Sequence, residues 1–254
     1  MPTFLSDGIT LAYDVYGEGS PVLLIHGFAS SGAVNWLNTG WTDTLVKAGY
    51  QAITIDNRGH GASQKLYDEN LYYAHDMAED AARLLDHLGH ASAAVIGYSM
   101  GARITAFLAL KYPQRVAAAV FGGMGMNLVY GLDDSDEIIA ALRAVALSDV
   151  THPTGRQFRI FADHSKSDRL ALASCMVASR EPMAESYVRA IRVPVLVAVG
   201  SEDVMAGAPE DLAALLPRGE AFRIPRRDHM RATGDPQFKA ATLDFLAHNY
   251  SARL

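Results

Sequence analysis

The segment Gly97-Tyr98-Ser99-Met100-Gly101 sets a serine between two glycines in a G-x-S-x-G pattern. The pentapeptide alone is common, but its setting is specific. It follows the apolar run Ala93-Ala94-Val95-Ile96 and leads into a helix-forming stretch over residues 102–110. That strand–turn–helix context is what a nucleophile elbow requires, because the sharp turn exposes the serine hydroxyl at the end of a strand. A side chain at position 97 or 101 would collide with neighbouring backbone in so tight a turn, which gives both glycines a steric reason. Ser99 would stand at a helix N-terminus, where unpaired N–H groups and the helix dipole favour developing negative charge. The competing use of Ser99 is an N-cap on an ordinary strand-to-helix loop, and the other parts of a hydrolytic site weigh against it.

A serine hydroxyl is a poor nucleophile at neutral pH and needs a base. His229 lies between an expected last strand over 221–224 and an expected last helix, Pro236–Asn249. Asp203 lies in Gly200-Ser201-Glu202-Asp203, just past the apolar run Val195–Gly200. Both positions follow strand ends, where loops carry reactive groups, and the chain order Ser99, Asp203, His229 suits an elbow of this kind. Glu202 adjoins Asp203 and is the alternative acid. Asp228 adjoins His229, but neighbouring side chains rarely align for an orienting hydrogen bond, so it reads as solvated. His60, His75, His87, His90, His152, His164 and His248 have no strand-end placement that suits a base.

His26-Gly27-Phe28-Ala29 follows the first buried run, Val22-Leu23-Leu24-Ile25. Glycine allows a sharp turn there, so the backbone N–H groups of Phe28 and Met100 are the expected oxyanion donors, each typically worth about 2.7–4 kcal/mol in a transition state. His26 reads as a structural residue beneath that loop. The run from Asp56 to Ser63, with Arg58, Gly59, His60 and Gly61, reads as a cross-linked turn supporting the site. A phosphate-cradling loop would need a G-K-[ST] that is absent.

These residues need a scaffold of strands and helices. Residues 3–5 and 10–16 flank Asp7-Gly8 as an opening hairpin. Runs apolar on both faces, at 22–25, 51–55, 91–97, 116–121 and 193–199, read as fully buried strands. Helix-length segments at 34–47, 73–88, 101–112 and 210–215 lie between them. In the second of these, Met77, Ala81, Leu84, Leu85 and Leu88 share one face. Buried strands alternating with helices imply right-handed crossovers and a mainly parallel sheet covered on both faces. From 123 to 192 no buried strand is evident. Helical patterns at 137–146, 156–164, 168–178 and 183–191 replace it, which predicts a helical insertion lying over one edge of the sheet.

Bulk composition removes several other classes. The 254 residues are 50% hydrophobic and 20% charged, an ordinary globular balance with a net charge of −6. The densest basic group, Arg223, Arg226, Arg227 and Arg231, is interspersed with Glu220 and Asp228, so no nucleic-acid partner is expected. Cys175 is the only cysteine, which suits a reducing compartment and reads as a small core filler. No basic-then-apolar leader opens the chain, and no apolar run approaches the roughly 20 residues of a membrane helix. A cytoplasmic protein with no membrane partner is the expectation, while the oligomeric state stays open. No Cys/His ligand cluster suggests a metal or other cofactor.

Along nearly its whole length the sequence resembles the α/β-hydrolase superfamily. The pieces that carry the likeness are His26-Gly27-Phe28, Asp56-Asn57-Arg58-Gly59-His60-Gly61, the elbow at Ser99, Gly200-Ser201-Glu202-Asp203 and Asp228-His229. It is most similar to the compact, capped branch that includes esterases, enol-lactonases, carbon–carbon bond hydrolases and perhydrolase-like enzymes. The resemblance implies an eight-stranded, mostly parallel sheet with a helical cap after the sixth strand. The core would then be 1–122 and 193–254, and the cap 123–192. Serine at the elbow argues against haloalkane dehalogenases and epoxide hydrolases, which use aspartate there.

The activity expected is hydrolysis of a small or medium, largely apolar carboxylic ester or lactone through Ser99, His229 and Asp203. Candidates for the pocket wall are Trp36, Tyr98, Met124, Met126, Phe158 and Phe161, with Phe28, Met100 and Met176. Cleavage of a carbon–carbon bond, acyl transfer, and a catalytically silent binding protein are the alternatives on the same fold.

Overall fold

Strand β1 (Thr3–Ser6) pairs antiparallel with β2 (Ile9–Tyr16) across Asp7 and Gly8, both at positive φ, as a two-residue hairpin of the twisted kind demands. Six further strands follow: β3 (Ser20–Ile25), β4 (Tyr50–Ile55), β5 (Ala93–Tyr98), β6 (Val116–Gly122), β7 (Val195–Gly200) and β8 (Gly219–Ile224). They join one eight-stranded sheet in the order β1-β2-β4-β3-β5-β6-β7-β8. Only β1–β2 and β2–β4 run antiparallel. This computed structural model describes residues 1–131 and 134–250. Positions 132–133 of the expected insertion and 251–254 of the expected core lie outside the described residues.

The doubly apolar strands divide their side chains between two cores. In β3, Val22 and Leu24 pack with Trp36, Trp41 and Phe238 on one face, while Leu23 and Ile25 pack with Ile53, Val95 and Phe121 on the other. The helices complete both layers in chain order. α1 (Trp41–Lys47) follows β3, α2 (Ala74–His87) follows β4, and α3 (Met100–Lys111) follows β5. Between β6 and β7 come α4 (Asn127–Tyr130), α5 (Ser135–Arg143), α6 (Pro153–His164), α7 (Arg169–Ala178) and α8 (Glu185–Val188), with no strand among the described residues. α9 (Pro209–Leu215) joins β7 to β8, and α10 (His229–Ala232) and α11 (Pro236–Asn249) follow. Leu45 of α1 and Leu246 of α11 share a core with Val22, whereas Leu84 of α2 and Ile104 of α3 share one with Leu23.

Several elements differ from the sequence expectation for local reasons. The single helix expected over 34–47 is a five-residue π-turn, Ala33–Leu37, followed by α1, because Gly40 at φ 77° breaks the rise between them. The helix expected over 137–146 starts earlier and stops at Arg143, where Ala144 turns extended at ψ 141°. The helix expected over 183–191 is only α8, because Ala184 before it is extended at ψ 142°. No helix among the described residues is long and apolar enough to cross a membrane.

The loop after β4 is tied down by charge. Arg58 grips the Asp80 carboxylate of α2 through two hydrogen bonds, Nε–Oδ2 at 2.5 Å and Nη2–Oδ1 at 2.9 Å. Ser6 of β1 donates to the same carboxylate at 2.5 Å, and Arg58 also donates to the Leu71 carbonyl at 2.9 Å. Both charged side chains are about 5% exposed, so removing one leaves the other buried and uncompensated. Asp80→Ala is therefore expected to cost about 3–5 kcal/mol of stability, read from urea unfolding at pH 7. A loss below about 1 kcal/mol would show that the pair contributes nothing beyond a surface bridge.

Candidate active site

Ser99 forms the turn between β5 and α3 at φ 53°, ψ −114°, outside the regions a non-glycine residue ordinarily occupies. Strain of this kind costs on the order of 1–3 kcal/mol and persists only where neighbours enforce it. Here the Ser99 N–H donates to the Gly122 carbonyl of β6 at 2.8 Å, and Gly97 and Gly101 remove the bulk that would open the turn. A Cβ at Gly97 would lie 2.2 Å from the Gly101 carbonyl oxygen, and one at Gly101 would lie 2.0 Å from that of Ile25. The glycines thus let the first turn of α3 press against β5 at Gly97 and against the end of β3 at Gly101.

Two loops bring the other groups to Ser99. His229 Nε2 lies 3.1 Å from Ser99 Oγ, and His229 Nδ1 lies 2.7 Å from Asp203 Oδ2. The other Asp203 oxygen accepts from the Met205 and Ala206 N–H groups at 2.8 and 3.1 Å, which fixes the carboxylate's plane. A carboxylate can only accept, so Nδ1 carries the imidazole proton and the Nε2 lone pair faces Ser99. The Asp203 side chain is fully buried, that of His229 13% exposed.

Glu202, the alternative acid, is exposed. Asp228 caps α10 by accepting from the Met230 and Arg231 N–H groups, a use beyond the solvated role expected of it. The His229 segment is anchored on both sides. Tyr98 donates its hydroxyl to the His229 carbonyl at 2.5 Å, and Trp41 Nε1 donates to the Thr233 carbonyl at 2.7 Å.

Opposite lies the loop after β3. His26 is fully buried, its Nδ1 donating to the Gly27 carbonyl at 2.7 Å and its Nε2 accepting from the Asn57 N–H at 3.0 Å. Asn35 Oδ1 accepts from the Gly27 N–H at 2.8 Å. Since the Gly27 carbonyl and the Phe28 N–H belong to one trans peptide, fixing the carbonyl on His26 aims the N–H the opposite way. The Met100 N–H is the first of α3 and belongs to the set without an intrahelical acceptor. Burial pushes the His26 imidazole down to about 4 and that of His60, 5.1 Å away ring to ring, down to about 3. Both histidines are therefore neutral supports. Cys175 is buried against Met100 with its thiol pushed up to about 12 by burial, which makes it inert core.

A cavity of about 580 Å³ opens over Ser99 and His229. Of the expected wall residues, Tyr98, Phe158 and Phe161 line it, together with Phe28. Trp36, Met124 and Met126 do not. Trp36 is fully buried edge-on to Trp41 on the far side of the π-turn, which shows Val34 and Asn35 to the cavity instead. Met124 and Met126 turn into the main core after β6. Met100 and Met176 are core residues as well. Sequence reasoning missed Ile160, His164, Met205, Met230 and Thr233, which also line the cavity. Spacing along α6 could have found His164, three residues after Phe161, whereas Ile160 is off the face that Phe158 and Phe161 define. Met205, Met230 and Thr233 follow Asp203 and His229 so closely that proximity to the site was their only signal. No cluster of three potential metal ligands occurs among the described residues.

The sequence profile of the alpha/beta hydrolase fold family matches residues 20–151. BpoC of Mycobacterium tuberculosis, whose name classes it with non-heme bromoperoxidases, is 29% identical over 264 residues, covering 94% of this chain and 98% of that protein. A thermophilic esterase from Thermogutta terrifontis superposes with a TM-score of 0.78 at 22% identity, covering 98% of this chain and 97% of the other. A meta-cleavage product hydrolase from Pseudomonas fluorescens superposes at 0.74 with 21% identity, covering 98% of each chain. The likeness to the two solved structures is one of fold.

The neutral histidines give the site a pH signature. Their values in the folded chain lie below the ordinary 6.5, so the unfolded chain binds more protons between pH 6.5 and about 4. Stability is expected to fall as pH drops through that window. Denaturant midpoints at half-unit steps would show it, with a shallower fall in His26→Asn, which cannot titrate there. A wild-type midpoint that stays flat from 6.5 to 4 would contradict the assignment.

Proposed function

The chain belongs to the α/β-hydrolase family, and from that premise we propose that it is a serine hydrolase acting on small or medium, largely apolar carboxylic esters or lactones. The observation that carries this reading is the continuous relay from Ser99 Oγ through His229 to the buried Asp203 carboxylate, with links of 3.1 and 2.7 Å. In this reading Ser99 Oγ attacks the substrate carbonyl while His229 Nε2 takes its proton. The Phe28 and Met100 N–H groups hold the oxyanion, which the geometry around His26 supports. His229 returns the proton to the departing alcohol, leaving an acyl group on Ser99. It then takes a proton from water, which attacks the acyl carbon, and gives that proton to Ser99 Oγ as the bond from Oγ to the acyl carbon breaks and the acid leaves. Asp203 holds the imidazole in the tautomer that can do this and stabilises its charged form.

Residues 123–192 are proposed as a cap over a core of 1–122 and 193–254, a role supported by Phe158, Ile160 and Phe161 of α6 lining the cavity. The apolar walls favour an uncharged acyl group over a polymeric or highly charged substrate. A buried, unoxidised thiol at Cys175 is consistent with the cytoplasmic setting proposed here.

The test is turnover of nitrophenyl esters from acetyl to dodecanoyl, with product analysis in the presence of a competing alcohol to separate hydrolysis from transfer. Ser99→Ala is expected to lower kcat by roughly 10⁴–10⁶, and Asp203→Asn by about 10⁴. Stoichiometric labelling of the wild type, but not the variant, by a fluorophosphonate is the second readout. Turnover equal in wild type and Ser99→Ala at every chain length would refute the assignment.

A further inference from the structure

The loop that carries the Phe28 N–H is held from two sides. Its core side rests on His26 and Asn35. The opposite side meets the turn between α6 and α7, whose backbone is self-locked. Lys166 sits there at φ 53°, with its N–H on the Asp163 carbonyl and the Ser167 N–H on the Ala162 carbonyl. Those two bonds make a Schellman helix ending. The turn presents Ser165 and Ser167 together, with their Oγ atoms 2.8 Å apart. Ser165 Oγ lies 3.2 Å from the Ala29 carbonyl oxygen, and Ser167 Oγ 3.5 Å from it.

Ala29 is the residue after Phe28. It is fully buried and stands at φ 57°, inside a turn closed by the Ser30 N–H on the Gly27 carbonyl at 3.3 Å. An alanine holds that conformation only where its surroundings enforce it. The same two helices press on Phe28 itself. Phe158 of α6 meets the Phe28 ring edge-on at 5.8 Å, and the Arg180 guanidinium, just beyond α7, lies 5.2 Å from the ring centre.

We propose that Ser165 is a positioning residue for the oxyanion loop, donating its hydroxyl to the Ala29 carbonyl, which holds the Ser30 N–H of that peptide on the Gly27 carbonyl and so steadies the Gly27–Phe28 peptide that carries the Phe28 N–H. Ser165 has one proton and a second neighbour, the Ala162 carbonyl at 3.1 Å. Donation from Ser167 to Ser165 Oγ polarises the Ser165 hydroxyl and leaves its proton to be shared between the Ala162 and Ala29 carbonyls. The helical insertion thereby contributes to transition-state stabilisation as well as to the shape of the cavity. This inference rests on the serine-hydrolase reading and on Phe28 as an oxyanion donor.

The test uses the whole chain and three variants, Ser165→Ala, Ser165→Thr and Ser167→Ala. It measures kcat and KM with 4-nitrophenyl butyrate, the thermal midpoint, and inhibition by butylboronic acid, whose tetrahedral adduct on Ser99 places an oxygen where the oxyanion would sit. Losing a whole oxyanion donor costs about 10²–10³ in kcat. A loosened one should cost less, so Ser165→Ala is expected to lower kcat roughly tenfold. Its KM should stay within about twofold, and boronate affinity should weaken by a similar factor to kcat. Ser165→Thr keeps the hydroxyl and should stay near wild type, with Ser167→Ala intermediate. Unchanged kcat and boronate affinity in Ser165→Ala, with only KM or the thermal midpoint altered, would overturn the proposal by showing that Ser165 merely seats the insertion. If that variant does not fold, an unchanged kcat in Ser167→Ala overturns it instead. Wild-type protein that neither turns over the ester nor binds the boronate would overturn the serine-hydrolase reading itself.

Discussion

The backbone of Ser99 is the constraint on which the site is built. At φ 53° and ψ −114° it cannot relax, because β5 is bounded by β3 and β6 and its successor opens α3 without a connecting loop. That compression sets Ser99 Oγ at the carboxyl edge of the sheet and turns the first N–H groups of α3 toward the same point. Each other member of the proposed relay is placed relative to this turn. Gly97 and Gly101 are the structural cost of it, since a Cβ would stand 2.2 Å from the Gly101 oxygen at the first and 2.0 Å from the Ile25 oxygen at the second.

Around that fixed point the chain uses buried polar contacts as braces. His26 couples the Gly27 carbonyl to Asn57, and Arg58 one residue later couples that loop to Asp80 and, through it, to Ser6. The histidine loop is braced in the same way by Tyr98 and Trp41, whose donors reach backbone carbonyls on either end of α10. Such contacts give direction, which apolar packing does not supply. A misplaced hydroxyl or N–H loses its partner outright in the dry interior, so these groups have one arrangement available to them.

The cavity follows another logic. Its walls come from the loop after β3, from α6 and from the segments that follow Asp203 and His229. The groups of the proposed relay stand on loops pinned to the sheet, whereas Phe158, Ile160 and Phe161 stand on an insertion that meets the core at separate points, through Ser165 on Ala29, Asp168 and Ser174 on Tyr67, and Arg143 on Glu69.

The sequence by itself determined the sheet, most of its helices and the order in which the proposed catalytic residues appear. Doubly apolar strands and the G-x-S-x-G turn are local patterns, legible because burial on both faces and a forbidden Cβ each act on a few consecutive residues. Tertiary structure alone decided what depended on distant segments meeting. It set Asp203, and not Glu202, against His229 across 26 positions of chain. It turned Trp36, Met124 and Met126 into the core while Val34, Met205 and Met230 took places on the wall. It also brought Ser165 to Ala29 across 136 positions. The physical reason is common to these cases. An apolar or hydroxyl side chain has no sequence mark for the side of an element it will face. That side is set by helix breaks such as Gly40 and by which other segment arrives to bury it.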